Sequence, residues 1–191
     1  MPLFQKTIIK KYTQELYAQN VQDAYSLFQA YFSNPTIQAN IREAKEEQFQ
    51  EGFLRELFGN ILGYTLNPNP NFNLTTELKN ISNNKKVDGA ILIDNKAIAV
   101  IELKGTDTTD LAKIETQAFS YKNNQPHCTY VITSNFEKLR FYIDNAIEYI
   151  EFNLFTLTRE DFNLLWLCLS FTSIQQNAVS YTHLDQYSHH I

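Results

Sequence analysis

The sequence predicts an α/β (α+β) domain in which helices flank a mixed central β-sheet, with a helical extension at the N-terminal end. Three observations carry this. Apolar residues recur at helical spacing as far as Leu62. Short runs rich in β-branched and aromatic residues then follow one another from Phe72 to Phe152. One helix-spaced stretch interrupts those runs after the third, so the order is helices, βββαβββ, helix.

From Leu3 to Phe32 the apolar stripe runs through Phe4, Ile8, Tyr12 and Leu16, slips near Asn20, and resumes at Val21, Tyr25, Phe28 and Phe32. This predicts two short helices or one interrupted helix, ended by "SNP" at Ser33 to Pro35. A second helix is expected from about Gln38 to Leu62, with Gly63 as a left-handed C-cap. The "NPNPNFN" loop leads to a strand at Phe72 to Leu78. Strands at Lys86 to Ile93 and Ala97 to Lys104 form a hairpin around the "DNK" turn. After "GTDTTD", in which Thr109 or Asp110 supplies an N-cap, a helix is expected over Asp110 to Asn123. Strands follow at Thr129 to Ser134, Lys138 to Ile143 and Ile147 to Phe152, and a last helix at Arg159 to about Thr172.

The totals narrow the function classes. A chain of 191 residues that is 43% hydrophobic and 14% aromatic buries a sizeable core in one domain. No apolar run approaches the ~20 residues of a membrane span, and "MPLFQKTIIKKY" has no signal-peptide pattern, so the expectation is a cytoplasmic protein without membrane contact. Cys128 and Cys168 read as buried thiols of a reducing compartment. The formal charge of -5 lacks the basic excess of a free-standing nucleic-acid binder, although Lys79, Lys85, Lys86 and Lys104 gather locally. No phosphate-cradling Gly-rich loop precedes a helix, and the only histidine before the tail is His127, so neither ATP hydrolysis nor a Ser/His/Asp device is encoded.

The chemistry concentrates in "VDGAILIDNKAIAVIELKG", Val87 to Gly105, where charged residues interrupt buried-looking strands. A hairpin symmetric about Asn95 sets Asp88 opposite Glu102, and Lys104 lies two residues on, so it shares the face of Glu102. Carboxylates that close repel unless a cation lies between them, and a hard divalent ion such as Mg²⁺ takes oxygen ligands of this kind. Lys104 is then placed to orient a nucleophile or to stabilise charge on phosphorus. The competing reading makes these residues charged strand ends at a solvent edge.

Asp88, thirteen intervening residues and "ELK" behind the apolar run "AIAVI" resemble the core of the PD-(D/E)XK nucleases, with Val87 where that family commonly has proline. The resemblance implies a restriction-endonuclease-like PD-(D/E)XK core in which the acidic pair, Asp88 and Glu102, binds Mg²⁺, with Mn²⁺ as an alternative ion, and Lys104 assists catalysis. "QAFSY", Gln117 to Tyr121, resembles the QxxxY motif beside that core, which implies that Gln117 and Tyr121 hold substrate or order the metal site. Glu43, Glu47 and Glu51 stand at spacing four on the preceding helix; the resemblance implies that a glutamate from this helix completes the metal shell, and Glu47, one heptad before Leu54, is the one expected. A solvated charged face is the alternative.

The longer stretches "KEEQFQEGFLRELFGNILGY", "AVIELKGTDT" and "ITSNFEKLRFY" are similar to the N-terminal nuclease domain of type IIG and single-polypeptide type I restriction-modification enzymes. That similarity implies a DNA endonuclease domain acting on double-stranded DNA, with methyltransferase and target-recognition domains in a longer chain and a transient dimer for double-strand cleavage. Residues 1–177 are expected as one nuclease domain: 1–66 helical, 67–157 the α/β core and 158–177 the C-terminal helix. The tail, 178–191, with His183, His189 and His190, is expected to be disordered or not native. Two other readings stay open: a non-catalytic DNA-binding or docking module of this fold, and a stand-alone repair or recombination nuclease.

Overall fold

Chain segments with helical apolar spacing fold onto one face of a six-stranded sheet, and among the described residues one helix covers the other. The computed structural model describes residues 18–79 and 86–176. The expected helical residues before Ala18, Lys85 and the tail histidines therefore lie outside the described residues.

Helix α1 (Ala18–Phe32) ends where "SNP" predicts, and Asn34 accepts hydrogen bonds from the N–H groups of Thr36 and Ile37 to open α2 (Pro35–Glu43) with Pro35 in its first turn. The expected single helix over Gln38 to Leu62 is instead three pieces. Ala44 and Lys45 are extended, and α3 (Glu46–Phe53) starts anew after them. Glu46 and Glu47 in its first turn favour that start, as does the Gln48 side chain, which accepts the Lys45 N–H at 2.9 Å. From Leu54 to Ile61 the chain continues as a π-helix with Leu54, Leu57, Phe58 and Ile61 buried. Gly63, at φ +85°, closes it in the left-handed conformation expected of the C-cap.

Strands β1 (Leu74–Lys79), β2 (Lys86–Ile93), β3 (Lys96–Leu103), β4 (Tyr130–Ser134), β5 (Lys138–Ile143) and β6 (Tyr149–Asn153) lie side by side in chain order. All neighbours are antiparallel except β3 and β4, which are parallel. Parallel neighbours need a crossover, and α4 (Ala112–Asn123) supplies it. The hairpin turns at Asp94 and Asn95, both at positive φ, the pairing that two-residue hairpins favour. Gly89 faces Ile101 and Ile91 faces Ala99, so the register expected from symmetry about Asn95 holds up to the irregularity at Ile91/Leu92.

Alternation along β3 separates the two cores. Ala99, Ile101 and Leu103 join the large cluster that runs from Val21 of α1 to Ile174, through α5 (Arg159–Leu169) and α6 (Phe171–Gln175). Val100 joins the smaller cluster with Ala118 and Tyr121 of α4. The residue after Ile101 therefore points toward α4. That residue is Glu102, the one charged residue that is buried among the described residues.

Candidate functional site

The site forms where β3 leaves the sheet, between the N-terminal end of α3 and the middle of α4. Glu102 is 1% exposed, which for a carboxyl group demands partners. Its Oε1 accepts from the Gln117 carboxamide at 2.6 Å and from the Lys104 ammonium at 3.2 Å. Its Oε2 is buried and has no hydrogen-bond partner.

Asp88 reaches the same place from β2. Its Oδ2 accepts the Leu103 N–H at 2.7 Å, across the hairpin and next to Glu102 in the chain. Lys104 contacts a third carboxylate: its Nζ donates to Glu46 Oε1 at 3.2 Å, and also to the Leu103 carbonyl at 2.9 Å. Tyr121 is 5% exposed and its hydroxyl accepts from the Gln117 amide at 3.3 Å. Gln117 and Tyr121, one helical turn apart, thus form a short chain of hydrogen bonds onto Glu102.

The electrostatics follow from three carboxyl groups around one ammonium. Burial, then the Asp88 carboxylate, pushes Glu102 up to about 7 against the opposing pull of Lys104. Burial also raises Asp88, opposed by the Leu103 hydrogen bond and by Lys104. For Lys104 burial works downward, but Glu102 and Glu46 outweigh it and hold the ammonium above its ordinary value. An added positive charge relieves this imbalance.

Asp88, Glu102, Lys104, Gln117 and Tyr121, all expected from the sequence, come together here. Glu46 joins them and Glu47 does not: Glu47 is exposed and lines an adjoining cavity of about 700 Å³ with Arg42, Lys45, Glu46 and Asp107. Both glutamates lie in the first turn of α3, after the break at Ala44–Lys45, and a count from Leu54 selects Glu47, whereas a count from Phe49 and Phe53 selects Glu46. The face that α3 turns to the core carries Phe49 and Phe53, and Glu46 lies three and seven residues before them, on that same face. Glu51 instead pairs with Arg55 at the surface, and Glu43 is exposed.

Asn135 was without a sequence signal. It is 4% exposed; its Oδ1 accepts from the Lys138 N–H at 2.7 Å and its Nδ2 donates to the Thr108 carbonyl at 2.9 Å. It thereby ties the β4–β5 turn to the loop that follows Lys104. Asp110, one of the two N-cap candidates, accepts the Ala112 N–H at 3.0 Å.

A hard cation needs oxygen donors, and the Glu102 Oε2, the Asp88 carboxylate, Glu46 and the Leu103 carbonyl are such donors. The orphaned Oε2 is the observation that fits a cation here, since a buried carboxylate oxygen without a partner is costly. Among the described residues, no three His, Cys, Asp or Glu side chains are gathered as a metal-holding group in this arrangement. Also among the described residues, no helix is long and apolar enough to cross a membrane. No protein-family model matches the chain, and neither curated proteins nor solved structures contain a match.

Proposed function

We propose that this chain is a Mg²⁺-dependent DNA endonuclease domain that hydrolyses phosphodiester bonds on a restriction-endonuclease-like PD-(D/E)XK core. One observation carries the reading: a fully buried glutamate, Glu102, with one oxygen orphaned, meets Lys104, Gln117 and the Asp88-bound end of β3 at a single point. A structural ion pair would have its oxygens satisfied. The element order around the site, a helix, three antiparallel strands, a crossover helix and a parallel strand, supports the same reading.

In this account Asp88 and Glu102 hold the cation, with Glu46 alongside as the helix carboxylate. Mg²⁺, or Mn²⁺ in its place, supplies when bound a polarised phosphate oxygen and a water of lowered pKa. Lys104 orients the attacking water or stabilises negative charge building on the phosphate. Gln117 fixes the rotamer of Glu102, and Tyr121 fixes Gln117. Double-stranded DNA is the substrate, and sequence choice belongs to target-recognition and methyltransferase domains of a restriction-modification protein. A transient dimer supplies the second strand cut, and the cytoplasm is the compartment.

The test is Mg²⁺-dependent nicking of plasmid DNA by the protein beside Asp88→Ala, Glu102→Ala and Lys104→Ala. Each change is expected to slow nicking by about 10²-fold or more. Cleavage that survives all three ends the assignment. A protein that binds DNA yet neither cleaves it nor binds Mg²⁺ or Mn²⁺ is the non-catalytic module instead.

A further inference from the structure

The acceptors of the Lys104 ammonium are two carboxylates and one main-chain carbonyl: Glu102 Oε1 at 3.2 Å, Glu46 Oε1 at 3.2 Å and Leu103 O at 2.9 Å. That is a set of three hard oxygen acceptors on one positive charge, the kind of donor a divalent cation takes. Resting on the metal-dependent reading above, we propose that Lys104 is also an internal counter-ion that neutralises Glu102 and Glu46, two of the carboxylates of that site, in place of the cation, so that cation binding proceeds by exchange and releases the ammonium toward the substrate.

The geometry explains why one lysine serves both ends of the exchange. Lys104 follows β3 directly, its own N–H donates to Ser134 O at 2.9 Å, and its side chain is only a quarter exposed. The backbone is pinned while a four-carbon stem is left to carry the charge. An ammonium is a compact point charge with rotatable donors and gives up oxygen ligands without breaking a planar fork, which a guanidinium does not. Gln117 holds Glu102 at 2.6 Å through a hydrogen bond separate from that of Lys104, which gives the carboxylate an anchor that the exchange does not use.

A site plugged this way binds its metal less tightly than the bare carboxylates would. The experiment measures Mn²⁺ affinity, from the electron paramagnetic resonance of free Mn²⁺, for the wild type, Lys104→Met and Lys104→Gln, with circular dichroism confirming that each is folded. The expected result is wild-type binding together with about tenfold or greater tightening in both variants, although both lose cleavage. Wild-type binding that is unchanged or weakened in both overturns the counter-ion role and leaves the metal site standing. No binding in any of the three overturns the metal site itself, and this inference with it. In the wild type alone, the Lys104 ammonium resonance of ¹⁵N-lysine-labelled protein is expected to shift saturably with Mg²⁺. A resonance that stays fixed while Mg²⁺ binds refutes the exchange without recourse to a variant.

Discussion

Glu102 sets the behaviour of the site at the scale of single residues. Its carboxyl group is pushed from an ordinary 4.5 up to about 7, so the folded protein binds that proton more tightly than the unfolded chain does. The resulting stability is fully present below about 4.5 and is lost as pH rises through about 7. Without divalent ions, the thermal midpoint of the wild type should fall between about pH 5.5 and pH 8 more steeply than that of Glu102→Gln; equal slopes would contradict the burial argument. Gln117→Glu, which sets a carboxyl group against Glu102 in place of a 2.6 Å hydrogen bond, should cost about 1 to 3 kcal/mol in urea unfolding. Glu46 and Glu47 offer a direct contrast. Glu46→Gln removes an acceptor of Lys104 and should weaken cleavage, whereas Glu47→Gln, at an exposed position beside the cavity, should leave it within about twofold.

At the scale of elements, the close approach of the π-helical segment to the hairpin positions the site. Leu54 lies so near Gly89 that a Cβ added there would stand 3.2 Å from both of its terminal methyls, one residue away from Asp88. Gly89→Ala should therefore lower stability by about 1 to 3 kcal/mol and weaken cleavage as well, by moving Asp88. Unchanged stability would mean that the helix yields easily. The strands were legible because period-two alternation and turn residues specify them locally, but the register that sets Asp88 against Glu102 comes from the irregularity at Ile91/Leu92, which shifts by one the pairing that the tight turn at Asp94 and Asn95 begins. The helices were less so. A break of two extended residues at Ala44–Lys45 and a wider π-helical turn from Leu54 both interrupt 3.6-residue spacing, so the expected single helix is divided, and Glu46, not Glu47, lies against Lys104.

At the scale of the whole molecule, the two faces of the sheet have different work. The large core, from α1 through α6, packs dense aromatic contacts such as Phe28 on Phe32 and Phe53 on Phe136, and anchors β2 and β3 rigidly. The smaller core under α4 admits Glu102 and brings Gln117 and Tyr121 to it. Asn135 joins the two ends of that arrangement through contacts 27 residues apart in the chain, beyond the reach of any local pattern in the sequence. What the hairpin motif left open was whether its charges end the strand in solvent; the burial of Glu102 inside the sheet removes that reading. The central claim is that this buried carboxylate and Asp88 share one divalent cation. Its most direct test is a crystal of the protein soaked in Mn²⁺, with anomalous scattering locating the ion. A peak touching both Asp88 and Glu102 is expected; a saturating soak that leaves that position empty, or places the ion on one carboxylate away from the other, contradicts a shared ion.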